Sequence, residues 1–177
     1  MSAEGFQGTV FERHICLPKA EIAALLNLQP GMNIAEIGAG AGDLILPLAE
    51  IVAPTGHAFA IETASHNLLR LREQSRNHQN VHVIESPYHD THLASHSNDR
   101  VLMANIWSEL PDPAETLRET ARLLRENGRL VLIEQQADFS QVVETLEKNT
   151  WDIHRHGEAG PQCYFLEASV SDESVQS

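Results

Sequence analysis

The sequence predicts an α/β fold: a doubly wound sheet of seven strands, mostly parallel, that ends in a C-terminal antiparallel hairpin. Three observations carry this. The stretch Ile34-Ala35-Glu36-Ile37-Gly38-Ala39-Gly40-Ala41-Gly42 is a short apolar strand bearing an acid, then three glycines on alternate positions, with a helix pattern beyond. Four more apolar strand segments follow, separated by helix patterns, and such connections return each strand parallel to the one before. The last two apolar segments, 151–156 and 162–168, are joined by a short turn with no helix between them, so they pair as a hairpin.

Taken in order, residues 18–28 place Ile22, Leu25, Leu26 and Leu28 on one helical face, and Gln29-Pro30-Gly31 turns the chain into a first strand over 33–37. A helix over 43–52 stops at Pro54-Thr55-Gly56, and 57–62 is the second strand. Ser65 is placed to cap a helix through 77, with Leu68, Leu69 and Leu71 as its apolar side. The third strand is 81–85, and the polar segment 88–98 reads equally as a poor helix or a loop. The fourth strand is 99–106. Asp112-Pro113-Ala114-Glu115 then opens a helix with Asp as the cap and Pro in the first turn. Leu117, Ala121 and Leu124 face inward from it, and Asn127-Gly128 closes it. A fifth strand over 129–134 precedes a helix over 138–148, capped by Asp138.

Composition bounds the function. Length and a 42% hydrophobic content suit one domain over 18–168, flanked by an arm at 1–17 and a disordered tail at 169–177. Against 12 basic residues stand 25 acidic ones, a net charge of −13 that repels phosphate backbones, so no nucleic-acid partner is expected. No apolar run is long enough to span a membrane, and no secretory signal is visible at the N-terminus. The two cysteines, Cys16 and Cys163, lack metal-ligand spacing, and the ten histidines are scattered. The reading is two free thiols in a cytoplasmic protein with no metal.

The glycine turn carries the chemistry. Glycine reaches backbone angles closed to other residues and lets a ligand approach the main chain. A dinucleotide fingerprint, G-x-G-x-x-G, fits the first two glycines, but its third position is Asp43, an acid that would face a pyrophosphate at the helix start. The pattern Glu36-x-Gly38-x-Gly40-x-Gly42 instead resembles motif I of the class I S-adenosylmethionine-dependent methyltransferases. Their Rossmann-like sheet also ends in a reversed hairpin, so the resemblance covers residues 18–168. It implies S-adenosyl-L-methionine as cofactor, held by Glu36, Gly38, Ala39, Gly40, Gly42, Glu62, Thr63, Ser86, Pro87 and Asn105.

Each strand end has its own argument. Glu62 stands twenty positions after Gly42 and can accept two hydrogen bonds from vicinal ribose hydroxyls. Ser86 matches the family position that often holds an acid for the adenine amino group, and a serine there departs from the pattern. Asn105 lies where the resemblance puts the reacting centre, and Trp107 is either a pocket wall or core. No triad or paired-carboxylate motif appears, which suits methyl transfer from a sulfonium, where orientation and exclusion of water do most of the work. If the acceptor must lose a proton, Tyr88, His89, His92, Glu109 and His14 are candidates by location, and none is singled out. The expectation is therefore methyl transfer to a small-molecule acceptor; the alternative is a non-catalytic cofactor-binding or regulatory protein on the same fold. Phe6, Val10, Phe11, Ile15 and Leu17 make the arm too apolar for a solvated tail, so it either closes over the pocket as a lid or packs on the sheet edge.

Overall fold

The computed structural model describes residues 17–171. Its single sheet has seven strands: β1 (Ile34–Ile37), β2 (Ala58–Glu62), β3 (Val81–Glu85), β4 (Asn98–Ala104), β5 (Leu124–Glu134), β6 (Trp151–Glu158) and β7 (Tyr164–Val170). Their order is β3-β2-β1-β4-β5-β7-β6. The first five run parallel, and β7 pairs antiparallel with both β5 and β6. The order reverses between β1 and β4, and in such sheets a crevice opens beyond the carboxyl ends of the strands at that point.

Helices cover both faces, as a parallel sheet requires. On one face α1 (Lys19–Leu25) and α2 (Ile45–Val52) bury Ile22, Ile45, Leu48 and Val52 against Ile34, Leu102 and Val131, with Leu71 of α3 (Ser65–Gln74) beside them. On the other, α4 (Pro113–Leu123) and α5 (Phe139–Lys148) bury Leu117, Leu123, Val142 and Leu146 against Ile37, Val101, Met103 and Leu132. The caps at Asp112 and Asp138 form as expected: each carboxylate accepts the backbone N–H three residues on.

Several expected boundaries are corrected. Ser65 does not cap α3; it is the first helical residue, and the cap position is Ala64, with no side-chain bond from that residue. Leu69 points to solvent at 71% exposure, because Leu68 and Leu71 already fill the buried stripe. Leu124 and Asn127-Gly128 belong to β5, not to the end of α4. Leu124 is extended, at ψ 138°, and pairs with Asn98. Arg129 then pairs with Arg100, so residues 125–128 form a bulged excursion in the strand. Gly128 is needed for close approach there, since a Cβ would lie 2.9 Å from the Arg125 carbonyl. Residues 88–97 are loop, and β7 carries Ser169 and Val170, which were expected in the tail.

Cys163 is disulfide-bonded, which corrects the free thiol and removes that support for a cytoplasmic location. Cys16 and most of the arm, with the proposed lid, lie outside the described residues. Among the described residues no helix is long and apolar enough to cross a membrane.

Candidate functional site

The glycine turn wraps around the end of β2. Gly38 N and Ala39 N both donate to the Ile61 carbonyl, at 2.9 and 3.0 Å, and Gly40 N donates to Glu62 Oε2 at 2.8 Å. All three glycines take positive φ, at 76°, 56° and 98° for Gly38, Gly40 and Gly42, which only glycine adopts at little cost. Their surroundings differ. A Cβ on Gly42 would meet Leu71 at 2.8 Å and Leu46 at 3.1 Å, so this glycine serves packing between the turn, α2 and α3. A Cβ on Gly40 would meet nothing within 4 Å, so the turn presents bare backbone to open space.

Glu62 organises this end of the sheet. It is 1% exposed, and its Oε1 accepts from Thr63 N at 2.7 Å and Ala64 N at 2.8 Å. The Tyr88 hydroxyl reaches the same oxygen at 3.4 Å, and Asn67 Nδ2 reaches Oε2 at 3.2 Å. A carboxylate offers about four lone-pair sites, so with Gly40 N this one is saturated by the protein itself. Glu62 thus ties down Thr63 and Ala64, the two residues that lead into α3.

The other expected residues fall along the same edge. Glu36 is buried on β1, next to the crevice. Thr63 is exposed beyond β2, its hydroxyl 3.3 Å from that of Tyr88. At the end of β3, Ser86 is buried and its hydroxyl has no hydrogen-bond partner among the described residues, while Pro87 is exposed. Asn105 leaves β4 in the left-handed conformation, φ 50°, tied to the Ile133 carbonyl through its N–H at 2.8 Å. Trp107 is core: it is 8% exposed and packs with Ile106 and Leu110. Of the candidate bases, Tyr88 is buried against Glu62, His89, His92 and Glu109 are exposed, and His14 lies outside the described residues.

One residue was missed. Glu134, 1% exposed at the end of β5, accepts from Ile106 N and Trp107 N at 2.9 Å each and so holds open the turn that follows Asn105. The sequence offers only an ambiguous signal, because β2, β3 and β5 all end in Ile-Glu. The same dipeptide meets three fates: Glu62 and Glu134 are buried acceptors of backbone N–H groups, while Glu85 pairs with Arg72 at the surface, at 2.7 Å. Beside Glu134, a cavity of about 830 Å3 opens between the loop after β5 and the β6–β7 turn. Gln135, Asp138, Phe139, Glu158 and Tyr164 are among its walls. Burial, and then the charges of Glu134 and Asp138, push the Tyr164 phenol well above its usual pKa, and its buried hydroxyl has no hydrogen-bond partner among the described residues.

Residues 35–132 match the family described as "Methyltransferase domain", more than half of the chain. The chain belongs to the class I S-adenosylmethionine-dependent methyltransferases. It is 27% identical over 143 residues to a protein-L-isoaspartate O-methyltransferase of Methanothermobacter thermautotrophicus, covering 80% of this chain and 63% of that one. It is 28% identical over 127 residues to a demethylmenaquinone methyltransferase of Listeria welshimeri, covering 70% of this chain and 53% of that one. A methyltransferase structure from Aquifex aeolicus superposes with a TM-score of 0.80 at 22% identity, covering 86% of this chain and 89% of that one. The chain spans only 35 to 63% of the first three curated relatives it matches. The cofactor of this methyltransferase family, S-adenosyl-L-methionine, fits the observed edge: open space over Gly40, a buried unpaired hydroxyl at Ser86 and a deep carboxylate at Glu62 lie on three adjacent strands.

Proposed function

We propose that this chain transfers the methyl group of S-adenosylmethionine to a small-molecule acceptor. The observation that carries the reading is the bare Gly40 backbone, held against Glu62 at the β1/β4 reversal of the sheet. The cofactor supplies an electrophilic methyl on a sulfonium that is already a good leaving group. Glu36, Gly38, Ala39, Gly40 and Gly42 form the wall for its methionine part. Glu62 and Thr63 take the ribose, Ser86 and Pro87 the adenine, and Asn105 the side toward the acceptor.

The rest is orientation. Glu134 fixes the backbone at Ile106 and Trp107, and so fixes where Asn105 aims. The cavity of about 830 Å3 lies one to two strands away from Asn105 and is of the size that small ligands occupy. Tyr164 packs in its wall edge-on to Phe139, and its raised pKa keeps it from removing a proton from the acceptor. A protein acceptor is the rival, since one relative bears the name of a protein-L-isoaspartate methyltransferase. The cavity opens at the surface, and its volume suits a small molecule.

The test is incubation with S-adenosylmethionine and a panel of small amines, phenols, thiols and acids, beside isoaspartyl peptides. The expected outcome is S-adenosylhomocysteine together with a small acceptor heavier by one methylene. Tight cofactor binding without turnover on any acceptor would favour the non-catalytic alternative, and turnover on the peptides alone would favour a protein substrate.

A further inference from the structure

A second polar cavity, of about 450 Å3, lies at the opposite, amino edge of the sheet, against the C-terminus of α1. Arg100 of β4, Arg129 of β5 and Arg155 of β6 line it, with Glu167 of β7, Asn27 and Asn127. Register explains the convergence: Arg100 pairs with Arg129 and Arg155 pairs with Glu167, so paired residues present their side chains to the same face. Three of the chain's 12 basic residues thus meet one carboxylate in a molecule whose net charge is −13.

The guanidiniums are only partly committed. Arg100 donates through Nε to the Leu26 carbonyl at 2.6 Å and through Nη1 to the Asp99 carbonyl at 2.7 Å. Arg155 donates to the Leu25 carbonyl at 3.0 Å and pairs with Glu167. Arg129 donates through Nη1 to the Gly128 carbonyl and lies 3.9 Å from Glu167. Among the described residues no bond uses Nη2 of Arg100 or of Arg129. The nearby Asp99 carboxylate is already taken by Arg125 and Asn33 N. Burial draws the Arg100 guanidinium below its ordinary basicity; Asp99 and Glu167 oppose this, and Arg129 adds to it. Glu167 alone leaves about two positive charges unbalanced.

We propose that this cavity is an anion-binding site for a doubly charged oxyanion, either inorganic phosphate or the phosphoryl group of a small metabolite. Guanidinium N–H groups suit phosphate oxygens, and Arg100 and Arg129, which line the same cavity, each keep an Nη2 for one shared ligand. The site stands apart from the cofactor edge and does not depend on the methyl-transfer reading.

The test is thermal denaturation and calorimetry of the full chain with sodium phosphate, with ionic strength held constant by chloride. Phosphate is expected to raise the melting temperature saturably by mass action, and chloride is not. Arg129→Gln should weaken phosphate at least about tenfold, the loss of one charge-assisted contact, while leaving S-adenosylmethionine binding unchanged. Asn127→Asp, on an exposed residue, places a negative charge at the same cavity and should weaken phosphate without depending on the arginine framework. Ribose 5-phosphate binding more tightly than inorganic phosphate assigns the site to a phosphorylated metabolite, and equal binding assigns it to the free oxyanion. Absence of saturable stabilisation by either ligand, or unchanged phosphate affinity in both variants, overturns the proposal.

Discussion

At the scale of single residues, Glu62 carries two loads, and a substitution should disturb both. Glu62→Gln puts an amide N–H₂ among groups that are all donors: Gly40 N, Thr63 N, Ala64 N and Asn67 Nδ2. A lost charge-assisted bond is worth roughly 1.5–3 kcal/mol. Calorimetry should therefore find S-adenosylmethionine bound about ten- to a hundred-fold more weakly, and the melting temperature should fall as well. Gly42 behaves differently from Gly40. Gly42→Ala drives a methyl into Leu71 and Leu46 at φ 98°, so urea denaturation should register a loss of roughly 1–3 kcal/mol, whatever the cofactor does. The glycine pattern and Glu62 were legible in the sequence because spacing alone marks them. Saturation of Glu62 was not, since it depends on Asn67 and Tyr88 arriving from different elements. Nor was Glu134, because Ile-Glu ends β3 as well, at a surface-paired Glu85.

Among elements, the loop over 86–97 gives the clearest forecast. It is tied down by Glu119 of α4, which accepts from Thr91 N and the Thr91 hydroxyl and pairs with Arg122 at 2.7 Å. Burial opposes the charge on Glu119, but the bonds from Arg122 and Thr91 outweigh it and hold its pKa below the ordinary value of 4.5. The folded-state pKa is the lower one, so this contribution is complete above pH 4.5 and is lost as pH falls through the folded value. Stability followed by urea denaturation against pH should lose part of its acid slope in Glu119→Gln, and amides near Thr91 should exchange faster. Strand and helix existence was legible here, while boundaries were not. Leu124 continues the apolar spacing of α4, yet pairing with Asn98 draws it into β5, a tertiary preference that periodicity does not register.

Across the whole molecule, the sheet order brings the ends of β3, β2, β1 and β4 side by side, about 4.8 Å apart, so the glycine turn, Glu62, Ser86 and Asn105 form one edge. The alternation of strands and helices and the terminal hairpin announced this class of sheet, because parallel pairing needs crossovers and a short turn permits only reversal. The two cavities were not legible, for they arise where loops and strand register meet and no local pattern encodes them. The charged cavity at the amino edge and the larger cavity at the carboxyl edge sit at opposite ends of the strands, which permits one to be tested without disturbing the other. The central claim is that S-adenosylmethionine lies on the bare backbone of Gly40. Calorimetric titration of the native chain and of Gly40→Val with this cofactor tests it most directly, with circular dichroism as the check on folding. The account predicts saturable binding to the native chain and none to a folded Gly40→Val, whose side chain would stand in the open space over the turn at φ 56°. Equal affinity in the two proteins, or no binding to the native chain, would contradict it.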